Sequence, residues 1–323
     1  MTLNRRQLIA TGLAGALPGL ARAAYPADKP INVVIPFPPG GRTDLTGRLL
    51  TQHMAKHVGQ SIVVLNKPGA GGAIGAKEVA ASPPDGYTLG VFSTAAVTAQ
   101  YTLASPVNLK DFVAIRTINL DPMALAVKAD APWKTLRDLV AWGTANRGQL
   151  RVGMIPGASA EIFAAAFANA GNLKVLYVPF KGDADGALAL AGGHIDVHVA
   201  VPSSYKALVD GNKVRMLGIA AEQRSPAYEG MPTFRDNGVD LVIGSFHMLF
   251  APRRTPPEIL RMLEEASGKA MREPDLLKQM EAASIGYANL DTKETEVFLA
   301  QQDAVYRKVI TDAGLLAGGP KRS

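Results

Sequence analysis

The sequence predicts an α/β protein of two lobes, each a mixed, mostly parallel sheet flanked by helices. Three observations carry the prediction. From Ile31 onward, short runs of β-forming residues alternate with helical stretches, the order that strand-helix-strand units with right-handed crossovers produce. At 323 residues the chain is longer than one ordinary core serves. One kind of corner, a strand running through glycine and a small hydroxyl residue into a helix, recurs along it. Hydrophobic residues make up 47% and charged residues 19%, so there is apolar material for two cores, and no low-complexity block interrupts it.

The first segment stands apart. "MTLNRRQLIATGLAGALPGLARAA" opens on Arg5 and Arg6, continues apolar and ends through Ala21, Arg22 and Ala23, so residues 1–23 read as a cleavable, Tat-like export signal. Asn4 and Ala10 fit the twin-arginine pattern poorly, which keeps the general secretion route open. A membrane anchor is the competing reading, but Gly and Pro interrupt the apolar stretch, which falls short of the ~20 residues of a spanning helix. Cleavage removes three arginines and no acidic residue, which leaves +3 of the formal +6. So mild a charge, without a basic run interleaved with aromatics, argues against a nucleic-acid partner. The lack of cysteine excludes a disulfide framework, a thiol nucleophile and a thiolate metal site.

In order, "INVVIPF" is the first strand, "DLTGRLLTQHMAKHV" the first helix, "SIVVLNK" a strand, "GGAIGAKEVAAS" a helix, and "YTLGVFS" a strand launched by the turn at Asp85 and Gly86. A second set begins with "MALAVKAD" and runs through the helix "TLRDLVAWGTAN", the strand "LRVGMI", the Ala-rich helix "SAEIFAAAFANAG" and the strand "KVLYVPF". It closes with the helix "ADGALALAGG", the strand "HIDVHVAV", a helix at "SSYKALVDG" and the strand "VRMLGIAA". "SFHMLFAP" is a further strand, and "PPEILRMLEEASGKAMRE" and "TKETEVFLAQQDAVYRKVITDAG" are long amphipathic helices that return to the first lobe. No Gly/Ser-rich linker separates the lobes.

The corners suggest the chemistry. Gly40 and Gly41 follow the first strand and its prolines, exposing backbone N–H groups at a helix N-terminus where an anion is favoured. Thr43 adds a hydroxyl and Asp44 helps cap the helix, so the corner reads either as a carboxylate cradle or as a plain proline-glycine turn. "NKPGAGGAIGAKEVA" is a second corner; its glycines suggest a dinucleotide fingerprint, but no acidic residue ends a following strand at the required distance. "GMIPGASAEIF" is the third, and corners from two lobes together point to a cleft.

Taken in order, "YPADKPINVVIPFPPGGRTD", "NKPGAGGAIGAKEVAASPPDGYTL", "VPFKG", "AGGHIDV", "RSPAYEGMPTFRDNGVD" and "LFAPRRTPPEI" resemble the Bug, or TctC-type, periplasmic solute-binding proteins of tripartite tricarboxylate transporters, over essentially the whole mature chain. That resemblance implies a type II periplasmic-binding-protein fold, the Venus flytrap, with crossing strands near "MALAV" and "SFHML". It implies lobe one at 24–124 and 245–323 and lobe two at 125–244. It also implies a periplasmic monomer without cofactor or metal that passes a small organic carboxylate to transporter subunits in the membrane. Carried over, Gly40, Gly41 and Thr43 hold the carboxylate from lobe one, with Ser93 and Thr94 in a neighbouring loop, and Ala158, Ser159 and Ala160 close from lobe two. Arg42 stands where a small residue is usual and either pairs with a carboxylate or faces solvent. Glu161, Asp183, Asp185 and Ala200 depart from the pattern, and Ala200, replacing a frequent aspartate, weakens the case for an amino-acid ligand. Phe246 and His247 replace common aromatics; with Phe37 and Phe180 they suggest an aromatic or longer dicarboxylate.

Rival readings remain. The same closure would serve a sensor that presents a loaded flytrap to a membrane histidine kinase. A metal-dependent exported hydrolase is weaker: His53 and His57 lie four apart on a helix whose pattern turns them toward water. His194, Asp196 and His198 alternate along a strand and would share one face. Ser159 lacks the flanking pattern of a nucleophile elbow.

Overall fold

The computed structural model describes residues 25, 26, 29–103, 107–156, 159–224, 228 and 230–317; the segment read as an export signal, and Ala158, lie outside them. The first lobe is built from β1 (Ile31–Ile35), α1 (Arg42–Val58), β2 (Ile62–Asn66), α2 (Ala73–Ala81), β3 (Thr88–Ser93), α3 (Thr94–Thr102) and β4 (Phe112–Pro122). The second comprises β5 (Ala124–Lys128), α4 (Leu136–Ala145), β6 (Leu150–Met154), α5 (Ser159–Ala170), β7 (Val175–Pro179), α6 (Asp183–Ala191), β8 (Val197–Ala200), α7 (Lys206–Asp210) and β9 (Val214–Ile219). The chain then returns through β10 (Gly244–Pro252), α8 (Pro257–Ala270), α9 (Pro274–Ala282) and α10 (Thr292–Asp312).

Each lobe holds one five-stranded sheet, in the orders β2-β1-β3-β10-β4 and β7-β6-β8-β5-β9. β1 is parallel to β2 and β3, while β10 is antiparallel to both β3 and β4. The second sheet repeats the plan: β6 is parallel to β7 and β8, and β5 is antiparallel to β8 and β9. The strand that arrives from the other lobe is therefore the antiparallel one in each sheet. Parallel strands deliver their helices on the same end of the sheet, and this brings the corners together.

Three elements differ from the sequence reading. β4 carries Arg116, Asn119 and Asp121 within a strand buried on both faces, so neither alternation nor a continuous apolar run marks it. Its charge is accommodated by distant partners: the Arg116 guanidinium donates to Ser267 Oγ (2.9 Å), Asn289 Oδ1 (2.5 Å) and the Glu264 carbonyl (2.9 Å). α3 follows β3 with no intervening loop, and α9 is a separate helix after α8.

The lobes meet at a narrow crossing. Met123 N–H donates to the Ile243 carbonyl (3.0 Å), Ile243 N–H to Ala220 (3.1 Å) and Ala220 N–H to Met123 (2.7 Å). α8 packs on α1, as a return to the first lobe requires, but α10 lies against α3 and β4 and also against α5 of the second lobe. Phe246 anchors that contact, with its ring 5.2 Å from Phe298 and 6.5 Å from Tyr306, whose hydroxyl donates to the Gly244 carbonyl (2.6 Å). In the first lobe Phe92, Phe112 and Phe250 pack with centroids 5.1–6.0 Å apart, each buried ring contributing about 2 kcal/mol of transfer free energy.

Candidate functional site

A cavity of about 530 Å³ lies between the lobes and is lined from both. The first residues of three helices reach it: Arg42 and Thr43 of α1, Ser159 and Ala160 of α5, and Asp183 of α6. The leading N–H groups of a helix have no intrahelical partner, so this is a setting for an anion. Ser93, at the end of β3, accepts from Ala95 N–H (3.3 Å) and caps α3. Ala95, Thr98, Ala99 and Thr102, spaced at one helical face, then form a wall. Met123, Ile155, Pro156, Ala200 and Val201 complete a largely apolar lining.

A buried polar chain supports the α1 corner. Asn119 Nδ2 donates to Asp121 Oδ2 (2.7 Å), which leaves Asn119 Oδ1 to accept from His247 Nδ1 (2.7 Å). The ring proton therefore sits on Nδ1, and Nε2 accepts from the Thr43 hydroxyl (3.0 Å). Burial, reinforced by the charge of Arg42, pushes His247 down to about 3, so the ring is neutral and the Thr43 proton is committed. Thr43 lines the cavity with its proton already given, so donating to a carboxylate would require it to release His247.

Arg42 lines the cavity, and its guanidinium is engaged by the protein itself. It pairs with the buried Asp121 (2.6 Å) and also donates to the Ser284 carbonyl (3.1 Å) and to Ser203 Oγ of the second lobe (3.2 Å). Asp121, Asn119 and Ser203 had not been singled out from the sequence. "VPSSY" after β8 is a strand-to-helix corner with two hydroxyls, though with proline in place of glycine, and Asn119 and Asp121 sit two apart on one face of β4. Those were the available signals.

Of the residues singled out from the sequence, Phe37, Arg42, Thr43, Ser93, Ser159, Ala160 and His247 line the cavity together, with Gly71 of the second corner. Gly40 and Gly41 do not. Gly40 adopts φ +82° at the turn, and its N–H is taken by Asp44 Oδ2 (2.9 Å). Burial opposes ionisation of Asp44, but hydrogen bonds from Arg48, Gly40 and Asn66 hold it below the usual carboxylate range. Thr94 is buried, its hydroxyl accepting from Phe246 N–H (2.9 Å), so it fastens β10 to α3. Phe246 is in the core, and Phe180 packs edge-on to His198 at 6.2 Å, away from the lining. Asp185 is exposed, and Glu161 is half-buried outside the lining.

The sequence profile described as tripartite tricarboxylate transporter family receptor matches residues 46–315. The chain belongs to this family. It is 31% identical to a Cupriavidus necator protein, a UPF0065 protein of the gbd 5′ region, over 97% of this chain and 99% of the relative. It superposes on a ligand-free TctC solute-binding protein from Polaromonas with a TM-score of 0.80 and 33% identity, covering 89% and 99% of the two chains. It also matches MatC from Rhodopseudomonas palustris with bound malate, with a TM-score of 0.73 and 28% identity over 87% and 98%. The family is one of receptors, and the Polaromonas relative is a solute-binding protein.

Four of the five histidine rings have side-chain partners: His53, His57, His198 and His247. His53 is buried rather than turned to water: its Nδ1 meets Glu273 Oε2 (2.5 Å), while His57 Nε2 meets Oε1 (2.6 Å), tying α1 to the start of α9. His194 and Asp196 precede β8, so the three residues do not share a strand face. His194 is exposed, Asp196 pairs with Arg151 (2.7 Å), and His198 is buried against the Tyr205 hydroxyl (3.0 Å). Among the described residues no group of three His, Cys, Asp or Glu side chains could hold a metal ion. No described helix is long and apolar enough to cross a membrane.

Proposed function

We propose that this protein is a periplasmic receptor that captures a small organic carboxylate between its lobes and delivers it to the membrane subunits of a tripartite tricarboxylate-type transporter. The cavity lined by helix-starting residues of both lobes carries this reading. An anion held there meets N–H groups from α1 on one side and α5 on the other, and so favours the closed arrangement over the open one. MatC, 28% identical, has malate bound, which supports the carboxylate class. Of the rings that suggested an aromatic ligand, Phe37 and His247 line the cavity while Phe180 and Phe246 do not, and the His247 ring is engaged by Thr43 and Asn119, which favours an aliphatic ligand. The lobes are taken as 24–124 with 245–323, and 125–244, a division supported by sheet membership and by the crossing at Met123 and Ile243. The receptor acts as a monomer.

A thermal-shift screen of the protein lacking residues 1–23 tests this, using aliphatic dicarboxylates, tricarboxylates, aromatic carboxylates, amino acids and divalent metals. A true ligand at a hundred times its Kd stabilises the fold by about 2.7 kcal/mol. The expected result is a shift with one carboxylate class, confirmed by calorimetry. A shift with a divalent metal and with no carboxylate would refute the reading.

A further inference from the structure

We infer that Asp183 makes the cleft select carboxylates whose far end carries a hydrogen-bond donor, an ammonium, hydroxyl or amide, over dicarboxylates of the same length. This rests on the carboxylate reading above and adds what the other end of the ligand must be.

The charges around the cavity lead there. Arg42 and Asp183 are the charged residues among those that line it, since His247 is neutral. Arg42 is already matched by Asp121, and its two terminal nitrogens are engaged by Asp121, Ser284 and Ser203. Its positive charge is balanced before a ligand arrives. Asp183 has no such partner: among the described residues no cationic side chain forms an ion pair with it, and its hydrogen bond is one long donation from Ser204 Oγ at 3.3 Å. An ionised carboxylate offers about four acceptor positions, so most of its capacity is left for the cavity. Burial pushes its carboxyl above the usual range, and Ser204 and the more distant charge of Arg42 only partly oppose this. A half-buried acid held in that condition gains from a donor and loses from a second anion.

No other described acid of the neighbouring elements shares this role. Position 200 on the same wall is alanine, and Asp44 of α1 is consumed by Gly40, Arg48 and Asn66. The carboxylate end of the ligand is served by the α1 and α5 starts. Its other end, reaching α6, meets Asp183.

The test is calorimetry at pH 7.5 on the full mature chain with two matched series. The four-carbon series is 4-aminobutyrate, 4-hydroxybutyrate, succinamate and succinate; the six-carbon series has the corresponding amino, hydroxy and monoamide acids and adipate. At least one donor-ended acid is expected to bind about tenfold or more tighter than the dicarboxylate of its series, the scale of one unfavourable charge contact. In Asp183→Asn, whose amide can itself donate, that margin should shrink to about twofold or reverse, with an unchanged melting temperature. A dicarboxylate that binds as tightly as its donor-ended partners, or a margin that survives Asp183→Asn, overturns the inference and leaves the carboxylate reading standing. Should the variant fail to fold, the wild-type series decides the matter. If no member of either series binds, the inference is overturned, and the broader carboxylate reading is decided separately by the thermal-shift screen. Which donor binds best separates amino acids from hydroxy acids and amides.

Discussion

Two buried, neutral histidines should make this receptor lose stability as pH falls, well before its carboxylates titrate. Burial lowers His247 from 6.5 to about 3, helped by Arg42, and burial alone lowers His198 from 6.5 to about 4. Below pH 6.5 the unfolded chain takes up protons that the folded chain refuses at both rings. Their contribution is therefore complete above 6.5 and is lost between there and the folded-state values. Each ring costs about 1.4 kcal/mol per pH unit over that window, so moving from pH 7.5 to 5.0 removes about 2 kcal/mol per ring and about 4 kcal/mol together. That is a large fraction of the 5–15 kcal/mol typical of a folded domain. Urea unfolding at half-unit steps of pH measures the total, but other groups also titrate. His247→Gln isolates one ring, since the amide can still donate to Asn119 and accept from Thr43. Its profile should be shallower than the wild type by about 2 kcal/mol at pH 5.0. A variant whose pH profile parallels that of the wild type would show that His247 is not held neutral, and would undo the assignment of its proton to Nδ1.

Other outcomes follow from packing and pairing. Arg42→Ala leaves Asp121 buried without its cation and should destabilise the ligand-free protein by about 3 kcal/mol in urea unfolding; loss of ligand affinity at unchanged stability would mean that Arg42 serves the ligand instead. Gly186→Ala drives a Cβ into the His198 ring at Nε2, so it should cost about 1–3 kcal/mol of overpacking, measured by thermal unfolding, and raise the exposure of the second-lobe core. Gly40→Ala meets no neighbouring atom but forces a left-handed backbone, so it should lower stability by about 1 kcal/mol; ligand affinity, read by calorimetry, should stay within about twofold because position 40 is outside the cavity.

The elements most readable in the sequence were those whose signal is local. α1, α8 and α10 have helical periodicity, with a capping box at Asp291 and Glu294 starting α10, and β1, β3 and β6 are short apolar runs ending in turn residues. β4 escaped because strands buried on both faces lack alternation and its polar residues find partners elsewhere in the chain. α3 escaped because its small, mixed residues have almost no amphipathic contrast, yet one face of it walls the cavity.

The sequence alone determined that strands would hand over to helices through short glycine- and hydroxyl-bearing corners, because turn chemistry depends on neighbours a few residues apart. It also determined the family, through motifs kept in order along the chain. Which corner residues face the cleft was decided by tertiary structure. Arg42 finds Asp121 79 residues away, His247 finds Asn119 at 128 and His53 finds Glu273 at 220, so no local pattern could assign those charges. Phe246 and Phe180 left the cavity for the same reason: an aromatic side chain goes where the surrounding elements leave apolar space, and that space exists only after α10, α6 and β8 have packed. The balance of charge that leaves Asp183 facing the cavity arises in the same way, from a pairing that the folded chain alone makes possible.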